Sequence, residues 1–258
     1  MGGTIFVEAF GRFLSGGYHP DEDLYSVFRA RSVLMGWYTP PQRKPSSLSP
    51  VFWRMEEADL CEQNDALRIA TAQVGLEDGV PIVIALPALL QCFDDSLRRF
   101  GAVELSGYQV TASGLEAMQE SWVFHFTQMI NYFFHLSDMT NYFQVSHRST
   151  EATLIVYELA KGSGIQLASE LEKFSDNTFR YQRTAHTPGR EAPSEMSPWN
   201  RIGPWNRVGM SEYLRLSLPE GPDAAGWAMA LALGAILTLM AGTTDARLSL
   251  TYVEPDDG

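Results

Sequence analysis

Side chains that could do chemistry are sparse in this chain, and the histidines come first. They are His19, His125, His135, His147 and His186. No pair has the i, i+4 spacing that lets two imidazoles bind one metal ion from a helix, and no His-Glu-x-x-His is present. His125 and His135 could share a helix. Ten residues at 1.5 Å each would part them by about 15 Å, too far for one ion. As catalytic candidates, His135 ranks before His125, because Asp138 stands three residues on and could orient its ring as a base. Each of the two also has a structural reading, as a satisfied histidine within a packed helix. Gly162-Ser163-Gly164 follows a strand pattern and precedes a helix pattern, where a phosphate could sit. A dinucleotide fingerprint would need a third glycine, and position 167 is Leu. P-loops, nucleophile elbows and kinase motifs are absent. The residues call for no metal and no cofactor.

The most unusual feature is a doubled hexapeptide. Pro198-Trp199-Asn200-Arg201-Ile202-Gly203 is followed at once by Pro204-Trp205-Asn206-Arg207-Val208-Gly209. It lies in a loop over 187–211, about 25 residues, longer than compact domains carry without a use. Trp and Arg are enriched at binding hot spots, and a guanidinium grips carboxylates and phosphates through two bonds. Trp199, Asn200, Arg201, Trp205, Asn206 and Arg207 are therefore the candidate binding residues. The structural alternative has both indoles packing down on the sheet. A second stretch, Pro50-Val51-Phe52-Trp53-Arg54, has a similar character.

Charge and composition narrow the partners. The chain has 258 residues, 45% apolar and 19% charged, with a net charge of −12. That field repels polyanions on average, so nucleic acid and anionic membranes are disfavoured. Two cysteines, Cys61 and Cys92, make no disulfide framework and no metal pair. No basic, apolar signal segment stands at residue 1, and Phe6 breaks the myristoylation pattern. Residues 224–244 lack charge, but their Ala and Gly content favours a buried helix over a membrane span. These features together suggest a cytoplasmic protein.

The elements that must position these residues read as α+β. In the C-terminal half, 152–159, 177–184, 212–218 and 245–253 alternate or run β-branched, as strands do. Helix patterns lie after Gly164 and from Asp223 to Gly242. Two successive β-α-β units predict mostly antiparallel sheets and a ferredoxin-like half over 146–258. The N-terminal half, 1–112, is expected to hold strands at 4–9 and 32–38 and a helix at 21–30. A proline-rich loop follows at 39–50. Further on, strands at 67–74 and 81–86 pair around Glu77-Asp78-Gly79, and a helix starts at Pro87. In the strand 102–111, Val103 and Leu105 share one face while Tyr108 and Val110 need the other phase. One extra residue at Ser106-Gly107 repairs the register. Between the halves, Ser113 and Glu116 form a capping box for a central apolar helix over 113–137. A tandem arrangement of the two halves follows if the first repeats the second.

On these grounds the expected function is a non-enzymatic binding or assembly protein. It would engage a protein partner, a second copy, or a small apolar or anionic ligand through the Trp/Arg loop. The alternative is a metal-independent small-molecule enzyme with an apolar pocket between the halves.

Overall fold

The computed structural model describes residues 2–16, 21–35, 37–38, 52–61, 68–80, 82–116, 151–159, 180–185, 210–217 and 243–252. Among them, eight strands form one antiparallel sheet, with two α-helices on the strands of the first half. The strands are β1 (Thr4–Gly16), β2 (Trp53–Leu60), β3 (Arg68–Leu76), β4 (Gly101–Glu116), β5 (Glu151–Leu159), β6 (Arg180–Ala185), β7 (Met210–Ser217) and β8 (Thr243–Tyr252). Helix α1 is Leu24–Leu34 and α2 is Ile82–Leu97, closed by a 3-10 turn at Arg98–Phe100. The α+β expectation therefore holds, with mixed helix and antiparallel sheet.

The strand order is β2-β3-β1-β4-β8-β5-β7-β6. Strands β1 and β2, joined through α1, both pair antiparallel with β3 and so run parallel on either side of it. Strands β3 and β4, joined through α2, flank β1 in the same way. In the second half, β7 lies between β5 and β6, and β5 lies between β7 and β8. The last strand of each half meets at the seam between β4 and β8.

Alternation decides which face is buried. Ala58, Ala72, Val7, Val110 and Leu248 form one row across five strands, and all are buried. Helices α1 and α2 pack on this face. Asp23 caps α1, its carboxylate accepting from the Ser26 N–H at 2.6 Å. Such a cap satisfies a donor that the first turn would leave unmade. Leu24, Phe28 and Ser32 then recur at the i, i+4, i+8 spacing as the buried stripe. Phe28 meets Phe93 of α2 edge-on, with centroids 5.7 Å apart.

Three expectations are corrected. Residues 32–34 continue α1 instead of opening a strand, because small Ser32 lets α1 approach α2, with its Oγ 3.5 Å from Cys92 Sγ. Residues 82–86 belong to α2, and Pro87 lies inside that helix, where it forgoes a bond to the Val83 carbonyl. Their β-branched run reads as a strand, but burial on most sides suits a central helix equally well. Third, β4 continues through Glu116, so Ser113 and Glu116 are strand residues and not a capping box. Asp245 supplies the reason: it accepts from the Gly114 N–H at 2.9 Å and extends the seam. The rest of the expected helix, the loop 39–50, the loop 187–211 and the helices after Gly164 and Asp223 lie outside the described residues. No helix among the described residues is long and apolar enough to cross a membrane.

The irregularity expected in β4 is present. Phe10 pairs with Gly107 and Gly11 with Leu105, leaving Ser106 as the extra residue. Gly107 has φ of 156°, and a Cβ there would lie 2.1 Å from the Leu250 carbonyl oxygen of β8. We expect Gly107→Ala to cost about 3 kcal/mol, since backbone must move to admit the methyl. Gly79, with φ of 77°, has open space around its Cβ position. Its Ala variant should lose only about 1 kcal/mol, from the left-handed backbone alone. Urea denaturation of both variants checks the contrast, and equal losses would rule out the tight seam.

The helix pair also carries a pH dependence. Arg31 of α1 bonds Asp95 of α2 at 2.8 Å. Burial nevertheless pushes the Asp95 carboxyl up, against the opposing pull of Arg31 and Arg98. Folding thus favours its protonated form. That contribution is full below the ordinary carboxylate range, near pH 4, and is lost as pH rises through the raised folded value. Asp95→Asn stays neutral throughout. Its melting temperature relative to the parent should rise from pH 3 to pH 7, and a flat difference would contradict the burial argument.

Candidate functional site

The face of the sheet away from α1 and α2 holds a connected row of polar side chains. Register builds it. Glu8 of β1 lies opposite Gln109 of β4, and Gln109 lies opposite Ser249 of β8. Because side chains alternate, these three share the face that Val7, Val110 and Leu248 do not. All three are buried, at 6%, 6% and 1% exposure, and Phe10 beside them is at 1%.

A chain of hydrogen bonds runs across four strands. Arg68 Nη1 of β3 donates to Glu8 Oε1 at 2.7 Å. Gln109 Nε2 donates to Glu8 Oε2 at 2.7 Å. Arg247 Nη2 of β8 donates to Gln109 Oε1 at 3.0 Å. The carboxylate therefore has a donor on each oxygen, which a buried charge requires. The last link crosses the seam and ties β8 to the first half. Its bond to Glu8 holds the Arg68 guanidinium still more firmly protonated.

Cys61 follows the end of β2, its N–H donating to the Ile69 carbonyl at 2.9 Å. Burial pushes its thiol up, and the Arg68 guanidinium only partly opposes this. Cys92 is wholly buried in α2, its thiol pushed up to about 12 by that burial. Both cysteines are free. A thiolate is the reactive form, so neither is primed as a nucleophile at neutral pH. The Arg68–Glu8 pair can hold a fixed charge pattern on the sheet. With both carboxylate oxygens engaged, the Glu8 side chain is held in place across β3, β1 and β4.

His125, His135 and Asp138 lie outside the described residues, as do Gly162-Ser163-Gly164 and the loop residues Trp199, Asn200, Arg201, Trp205, Asn206 and Arg207. The second aromatic stretch is corrected. Phe52 and Trp53 are 4% and 0% exposed, and Trp53 is the first residue of β2. They pack with Trp37 at centroid distances of 5.7 to 6.2 Å. These rings stabilise the core and offer no surface to a partner. Glu8, Arg68, Gln109 and Arg247 escaped the sequence reading. The available signal was Glu8 itself, a carboxylate in a strand whose other residues from Ile5 to Phe10 are apolar. No protein-family model, curated protein or solved structure matches the chain.

Two outcomes test this account. Glu8→Ala should cost about 2–3 kcal/mol, because it leaves the Gln109 donor buried and unpaired. The Arg68 share is smaller, since that side chain is 39% exposed and screened. A double-mutant cycle with Gln109→Ala should recover part of the loss, and strict additivity would deny the link. In a thiol-labelling assay on the native protein, Cys92 should react only as fast as the chain unfolds, while Cys61 labels slowly at pH 7 and faster above pH 9. Rapid labelling of either at pH 7 would contradict the burial of the thiols.

Proposed function

We propose that the chain is a non-enzymatic binding or assembly protein made of two ferredoxin-like β-α-β-β-α-β units in tandem. The strand order supports the architecture. Counted from the seam outward, each half places its fourth strand first, then its first, third and second. A split β-α-β unit has this arrangement, with a third strand inserted between two parallel ones.

The observation that carries the functional reading is the state of the buried carboxylate and of the two thiols. Glu8 accepts a hydrogen bond on each carboxylate oxygen, and burial pushes both thiols up. The row around Glu8 thus offers a partner a fixed pattern of polar groups, and neither thiol is set up as a nucleophile. The Trp/Arg loop would supply contact energy, through Trp199 and Trp205 as apolar anchors and Arg201 and Arg207 as forks for carboxylates. Its partner is a protein or a second copy of the chain. A cytoplasmic setting fits, since two unpaired thiols stay reduced there.

The test is a Trp199→Ala/Trp205→Ala double variant, expressed in the cells that make the protein and compared with the parent by native mass spectrometry and thermal melting. The expected result is loss of the larger assembly with the melting temperature within about 1 °C, as for surface changes away from the core. An unchanged assembly would sink the reading. A lowered melting temperature with the assembly retained would mean that the indoles pack on the sheet.

A further inference from the structure

No further inference is drawn: the strongest candidate, the hydrogen-bonded row Arg68–Glu8–Gln109–Arg247 with the Cys61 thiol at its β3 end, belongs to the site already described, and nothing in the structure shows what covers its buried centre.

Discussion

Strand β4 must serve two neighbours at once, and the rest of the sheet depends on how it does so. On one side it pairs with β1 over most of its length, and on the other with β8. Both contacts need the same face of β4 turned to the helices. A strand alternates every residue, so a single phase cannot satisfy Val103 and Leu105 together with Tyr108, Val110 and Ala112. The extra residue at Ser106 switches the phase, and all five side chains are buried as a result. Without it, either the first or the second group would face away from the core. Gly107 then lets the β8 backbone come within contact distance.

The two faces of the sheet are held by different physics. Toward α1 and α2, burial of apolar area is non-directional and tolerates exchange among side chains of similar volume. On the other face, Glu8, Gln109 and Arg247 form directed bonds with fixed donors and acceptors. A one-residue slip at the seam would part Gln109 from Arg247 as well as misplace Leu248 and Leu250. The polar row therefore specifies register where apolar packing alone would discriminate less.

The strands of the second half were legible because most of their length alternates or is β-branched, as in Leu214 and Leu216 of β7 or Leu248 and Leu250 of β8. The phase flaw in β4 was legible for the same reason. The body of helix α2 from Pro87 onward was legible too, but its start was not, because Ile82-Val83-Ile84-Ala85-Leu86 is apolar at every position and carries no period. Strand β2 was missed because Glu56, Glu57 and Asp59 break its pattern. It is an edge strand whose exposed charges need no core partner. The row around Glu8 could not be read, since alternation shows that a carboxylate shares a face with something but not which strand lies beside it. That pairing joins residues 101 positions apart.

The seam also bears on how the chain is made. Glu116 pairs with Thr243, so β4 leaves the ribosome long before the strand that covers its outer edge. Roughly 130 residues separate them, which at about 5–20 residues per second is on the order of ten seconds of synthesis. Throughout that interval a nascent first half would present an open ladder of backbone donors and acceptors, the kind of template on which neighbouring chains join. The molecule thus carries an aggregation hazard while half made that the finished sheet does not, and a pause in translation between β4 and β8 would prolong it.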